Sequence, residues 1–546
     1  MSPPRPHAKR RGRGLRVQAQ AVGAAGKAPR VVVIGAGAGG LAAAGRLARN
    51  GCDVTVVEKN GEPSGRCAMQ VGGRVQSVVS PDGAFRHDPG PSLLLFPDKY
   101  REAFAAMGTS LEEQDIIISR VSPAYRVFFA GGGRQPSPFS QLDLLNDEAD
   151  MAAQLEAVEP GAGDGYRRVR FLRMARMHLR MGVPYFIERD FEELANAKGL
   201  QDLLPFLGQI NVLDLLGQHD WRLKQFFKDQ RLRAMFTFQN LYVGLTPYSA
   251  PAVFGLLAGT ELTQGIWYPL GGFTKVRDGL RRAAESCGVR IQTGAEVVAI
   301  STDPAGGQVT GVELADGQQL AASVVVCNLA AYARQQHERL GRLKYSAGVI
   351  GYNWCVDREL AGLAHHNVFL SEEWVQSWRP ATQPKEFPHS PNFYVHAPSR
   401  TDGSAAPPGC DSIMVLLPVA NQQQCGSDYS SLVAAGRERI LQTFAEAGVG
   451  DDVGSSIQHE EVITPPDWQQ RYGLRHGAAF GLGHDLDQLS LFRPSNVDSR
   501  IRGLYFVGAS TRPGNGVPLC LIGAKLTAQR ASATTVRVRE WSIPSA

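Results

Sequence analysis

Arg30-Val-Val-Val-Ile34-Gly35-Ala-Gly37-Ala-Gly39-Gly40-Leu41, closed by Val54-Thr-Val-Val57-Glu58, is the stretch that decides the fold. The β-branched run over 30–34 reads as a fully buried parallel strand. Apolar residues at Leu41, Ala44, Leu47 and Ala48 then recur at helical spacing, and Asn50-Gly51 ends the helix. A second strand over 54–57 ends on the acid Glu58. The whole is a βαβ unit with Gly35, Gly37 and Gly40 as GxGxxG. Gly35 allows the tight turn, Gly37 lets a pyrophosphate reach the backbone, and Gly40 lets helix and strand pack closely. The pyrophosphate would sit at the helix N-terminus, where unpaired N–H groups favour an anion. Glu58 would accept from both ribose hydroxyls, which disfavours a 2′-phosphate. A dinucleotide site follows.

The residues beyond Glu58 point to FAD. Ser64-Gly65-Arg66 follows closely, then Phe85-Arg-His-Asp88-Pro-Gly90-Pro-Ser92. Near the other end, Gly508-Ala-Ser-Thr511-Arg-Pro513-Gly514-Asn-Gly516-Val517-Pro518 links a strand to a helix through 524–531. It is a second close backbone approach ahead of a helix N-terminus, suited to a flavin. Between them lie Gln239-Asn-Leu-Tyr242-Val-Gly244, Trp267-Tyr-Pro269-Leu-Gly271-Gly272, Leu363-Ala-His365-His366 and Phe492-Arg493-Pro494-Ser-Asn496. This ordered set resembles the flavin amine oxidase and phytoene desaturase superfamily over about residues 30–535, most closely its bacterial- and fungal-type phytoene desaturases. The chain departs from the family pattern at Ser64, which replaces a glycine, at Leu329-Ala330, and at Glu193, where the family has an arginine.

The resemblance implies an α/β chain with a Rossmann-like FAD-binding domain assembled from several segments and an inserted α+β substrate- and membrane-contacting domain. The expected division is 30–105, 265–345 and 495–535 for FAD, 106–264 and 346–494 for substrate, with a leader at 1–29 and a tail at 536–546. It also implies cofactor contacts from Arg66, from Gly508, Gly516 and Val517, and from the backbone at Val297, on a strand read over 289–297. Asp190 would be the catalytic acid/base, in the apolar setting Phe186-Ile-Glu-Arg-Asp190-Phe that raises a carboxyl pKa; a helix-capping role suits it equally. The implied reaction is desaturation of an acyclic polyene such as phytoene, with quinone or oxygen as electron acceptor. A carotene cis–trans isomerase and a non-enzymatic isoprenoid escort are the alternatives on this fold.

An apolar tunnel is then required, and residues 234–274, charged only at Glu261, supply material in Phe236, Phe238, Tyr242, Phe254 and Tyr268. Pro247, Pro251, Gln239 and Asn240 argue against a membrane-spanning helix there. His365-His366 lack HxxxH spacing and a third ligand in sequence, so they read as structural and no metal is expected. Arg170, Arg173, Arg176 and Arg180 share one side of a helix, with Phe171, Ala175 and Leu179 on another, a pattern suited to an anionic lipid surface.

Composition bounds the rest. The 546 residues carry 57 Lys+Arg against 52 Asp+Glu, a net charge of +5. Six of the cations are Arg5, Lys9, Arg10, Arg11, Arg13 and Arg16, and no acid precedes Asp53. The surplus therefore belongs to the leader, and the body gives no case for nucleic-acid binding. The Arg-rich, acid-free leader, with Val17-Gln18-Ala19, has the composition of a plastid transit peptide, which places the protein in a plastid, peripheral to a membrane. Eight scattered cysteines without CxxC exclude a disulfide framework.

Overall fold

The computed structural model describes residues 28–541 apart from 64, 68, 72–73, 77, 80–84, 131–139, 167–170, 190–200, 202–213, 215–216, 329–340, 382, 384–386 and 388, and apart from the side chains of 69–71, 74–76, 78–79, 491 and 534–541. A five-stranded parallel sheet runs in the order Arg290–Gln292, Asp53–Val57, Arg30–Ile34, Val324–Cys327, Leu504–Phe506. Its strands come from distant parts of the chain. The β-branched residues alternate faces, as strand geometry requires. Val31 and Val33 pack under the helix Ala38–Arg49 and beside Val276 and Leu280 of the helix Phe273–Ser286. Val32 and Ile34 meet Val309, Val312 and Leu314 of a three-stranded antiparallel sheet on the other face.

A seven-stranded mixed sheet forms the second layer, ordered Ile457–Ile463, Gly348–Val356, Asp411–Val419, Phe393–His396, His366–Ser371, Tyr125–Ala130, Ser140–Leu144. The helix Ser430–Glu446 closes one face through Ile440 and Phe444, against Trp354 and Phe369. The other face carries Tyr125, Val127 and Met414, packed with Phe171, Met174, Phe236 and Phe238. The weakly charged stretch 234–274 lies here as short helical turns and the helix Gly255–Gln264, largely buried. No described helix is long and apolar enough to cross a membrane.

Two local expectations change. The segment read as one strand over 289–297 is two: Arg290–Gln292 pairs with Asp53–Val57, and the chain turns at Gly294 (φ +65°) before Val297–Thr302 joins the three-stranded sheet. The C-terminal helix is longer than 524–531 and runs Val517–Trp541. The helix Phe171–Met181 separates its faces as its periodicity demands. Arg173, Arg176 and Arg180 are exposed, Phe171 and Ala175 buried and Leu179 half-buried; Arg170 lies outside the described residues.

Candidate functional site

The first glycine turn begins at Gly35, whose φ of +93° is open to glycine at no steric cost. Gly40 is required by packing, because a Cβ there would stand 2.1 Å from the Gly35 carbonyl oxygen. Gly37 differs. A Cβ on it would press only on the tip of the Asn328 side chain, at 2.9 Å, with the Gly65 Cα at an ordinary 3.9 Å, so its bareness leaves a cradle in front of the helix. No side chain among the described residues caps that helix, which leaves its first-turn N–H groups for an anion. Gly65, at φ +72°, closes on the same place, its own Cβ position 2.9 Å from the Gly37 Cα. Glu58 is buried and accepts from the Ala36 N–H at 2.8 Å and the Asn60 N–H at 3.1 Å, and burial raises its pKa above the usual carboxylate value.

The closing turn reaches the same point. A Cβ on Gly508 (φ +116°) would lie 2.8 Å from Asn328 Oδ1. Asn328 also directs Nδ2 toward the Gly35 carbonyl at 3.4 Å, so one amide joins the first and last glycine segments. In the sequence Asn328 is marked only by standing directly before the departing pair Leu329-Ala330. Gly516 (φ +96°) leads into Val517 at the start of the last helix, and Asn515 Nδ2 donates to the Tyr242 carbonyl at 2.6 Å. Arg66 donates to the Ala479 carbonyl at 2.8 Å, bringing another segment to the crevice. Val297 is buried beside Val57 on the far face of the parallel sheet. Gly35, Gly37, Gly40, Glu58, Gly508 and Gly516 thus form a bare, N–H-lined cleft, and these residues fit the extended, dianionic FAD molecule. Asp190 and Glu193 lie outside the described residues, as do Ser64, Leu329 and Ala330.

Beneath the cleft a buried polar network ties the Asp88 segment to the large sheet. Asp88 accepts from the Tyr268 hydroxyl at 2.6 Å and from the Phe273 N–H, at a helix N-terminus, at 2.9 Å. Arg86 donates to Asp402 at 2.7 Å, and Asp402 also accepts the Gly271 N–H at 2.7 Å. Burial opposes the Asp402 charge, but hydrogen bonds from Ser404 and Gly271 together with Arg86 overcome it and hold the carboxyl at about 2. The Tyr268 ring meets His365 edge-on, centroids 4.7 Å apart. His365 and His366 do acquire a third imidazole. Antiparallel pairing sets His366 opposite His396, and the three side chains bring ring nitrogens within 4.8 Å of one another. Sequence spacing could not show this, because the register lies between strands. The His365 and His396 Nε2 atoms are 3.1 Å apart, and His366 Nδ1 is 2.7 Å from the Tyr394 hydroxyl. Burial lowers all three pKa values, so the rings are neutral hydrogen-bonding partners.

Glu261 was visible in sequence only as a lone acid in apolar surroundings. It is fully buried and accepts from Gln239 at 2.9 Å and from the Tyr242 hydroxyl at 3.1 Å, with Tyr125 hydrogen-bonded to Tyr242 in turn. Nearer the surface, a cleft of about 520 Å³ is walled by Phe96, Leu179, Val183 and Pro184, with Arg176 and Arg180 on its lining.

The family model described as flavin containing amine oxidoreductase matches residues 38–532. A protein named phytoene desaturase from Phycomyces blakesleeanus is 37% identical over 532 residues, covering 94% of this chain and 87% of that one. A zeta-carotene-forming phytoene desaturase from Myxococcus xanthus is 37% identical over 514 residues, covering 92% and 93%. Among solved structures, an oxidoreductase from Methanosarcina mazei superposes with a TM-score of 0.59 at 18% identity, over 92% of this chain and 100% of the other, a likeness of fold.

Proposed function

The chain belongs to the flavin-containing amine oxidoreductase family, and from that premise we propose that it is an FAD-dependent desaturase of acyclic carotenoids acting on phytoene. One observation carries the reading: similarity to phytoene desaturases runs through nearly the whole chain, 94% of it in one relative and 92% in another. FAD, when bound, supplies the hydride acceptor for carbon–carbon bond oxidation. The protein's part is to bind and exclude water. Gly37 and the first turn of the helix Ala38–Arg49 offer backbone N–H groups to the pyrophosphate, Gly35 and Gly40 shape the turn that leaves them open, and Glu58 offers a carboxylate to the ribose. Apolar side chains from 234–274 line the inner face of the large sheet, where a hydrocarbon lacking polar handles is held by burial alone. Asp190 remains our proposed acid/base on the resemblance of its segment to the family's.

The substrate dissolves in lipid. We place the protein peripherally on a membrane, with the face of Arg173, Arg176 and Arg180 toward anionic headgroups and the apolar cleft beside it as the way in. A plastid address rests on the composition of the leader, of which residues 1–27 lie outside the described residues. Quinone or oxygen completes the proposal as electron acceptor.

Incubating the FAD-loaded protein with phytoene and liposomes, and reading products by absorbance and chromatography, tests the function. A lengthened chromophore is expected. An altered isomer geometry at constant chromophore length would make it an isomerase, and failure of the purified protein to take up flavin would make it an escort.

A further inference from the structure

Arg493 is 1% exposed, and among the described residues no carboxylate lies within 4.0 Å of its guanidinium. Its donors go to main-chain carbonyls: Nε to Thr511 at 3.1 Å, Nη1 to Gly483 at 3.1 Å, Nη2 to Ala509 at 2.6 Å and to Leu482 at 3.4 Å. A cation withdrawn from water without an anion is unfavourable, and carbonyl dipoles recover only part of the lost hydration. Burial accordingly pulls Arg493 down to about 9. The site is short of negative charge.

Two of those four carbonyls, Ala509 and Thr511, belong to the closing glycine turn. A second buried group faces the same turn. His484 is 2% exposed, with Nδ1 3.0 Å from the Val243 carbonyl oxygen; its Nε2 has no hydrogen-bond partner among the described residues and stands 2.9 Å from where a Cβ on Gly514 would be. Burial and the nearby Arg493 charge push His484 well below its ordinary value, so Arg493 is the cation of the pair. The partner missing from this place is negative.

We propose that Arg493 is an electrostatic positioning residue, a fixed positive charge behind the closing turn that favours the reduced flavin over the oxidised one and raises its two-electron potential. This rests on the FAD reading above. Uptake of a hydride adds two electrons and one proton, leaving one more negative charge on the ring system. The pyrophosphate carries the same charge in both oxidation states, so a cation serving it alone would tighten FAD binding and leave the potential unmoved. Only an interaction that differs between two states shifts their equilibrium.

The test compares the FAD-loaded wild type with Arg493→Lys and Arg493→Gln, measuring the midpoint potential by dye equilibration and the FAD dissociation constant in parallel. Arg493→Gln is expected to disfavour reduction at least tenfold, a drop of about 30 mV for a two-electron couple, while Arg493→Lys stays near the wild type. Equal potentials in Arg493→Gln and wild type would overturn the proposal and leave a structural pin; an equal fall in both variants would assign the effect to the forked hydrogen bonds instead. Should neither variant fold, the wild type decides. A potential falling by about 30 mV per pH unit near neutrality, one proton for two electrons, supports an anionic reduced ring, and twice that slope overturns the proposal. A wild type that binds no FAD would overturn the functional reading itself, a result none of the variant outcomes resembles.

Discussion

Gln239 Nε2 donates a buried 2.9 Å hydrogen bond to Glu261 Oε2, in the middle of the apolar layer between the large sheet and its helices. Burial outweighs that bond and pushes the Glu261 carboxyl up to about 8. Glu261 is therefore protonated in the native protein at neutral pH and ionised in the unfolded chain. The native state binds the extra proton, so stability should fall as pH rises from the ordinary carboxylate range toward about 8, at most by about 1.4 kcal/mol per pH unit. Glu261→Gln should flatten that dependence. Denaturant midpoints across the pH series read it, and a wild-type midpoint that stays constant would refute the raised value.

Gly37 and Gly40 should fail for different reasons. A side chain at Gly40 meets the Gly35 backbone at 2.1 Å, so Gly40→Ala should destabilise the protein by about 1–3 kcal/mol even without cofactor. At Gly37 only the movable end of Asn328 is in the way. Gly37→Val should fold and lose FAD, which thermal melts and flavin absorbance separate.

Asp88 satisfies two buried donors, the Tyr268 hydroxyl and the Phe273 N–H. Asp88→Ala orphans both and should lower stability by about 3 kcal/mol. Asp88→Asn keeps an acceptor for one of them and should lose less. A variant as stable as the wild type would mean that water replaces the carboxylate.

Arg176 and Arg180 are exposed beside the apolar cleft, Arg176 within 2.9 Å of the equally open Glu148. Reversing both to Glu should weaken binding to anionic liposomes by tenfold or more, at about 1 kcal/mol per charge removed. Added salt should weaken the wild type in the same way. Binding that ignores both salt and the substitutions would move the membrane face elsewhere.

Much of the cofactor site was legible because its parts are local. The strand, turn and helix from Arg30 to Arg49 follow from β-branched runs, glycines and helical spacing within about twenty residues. The basic helix was legible for the same reason, since period 3.6 sorts its faces without help from the rest of the chain. The break between Gln292 and Val297 was not legible: the switch from one sheet to another depends on which strands lie alongside.

By itself the sequence determined the βαβ unit, its glycine positions, the ordered segments that mark the family and the apolar material around Glu261. Those are properties of near neighbours and of residue order. Only the tertiary structure decided that Asn328 joins the first glycine turn to the last, that His396 faces His366, and that Arg493 is buried against carbonyls with no acid beside it among the described residues. Each depends on strand register or on burial between segments far apart in the chain. A hydrogen bond or an uncompensated charge takes its meaning from what surrounds it in space.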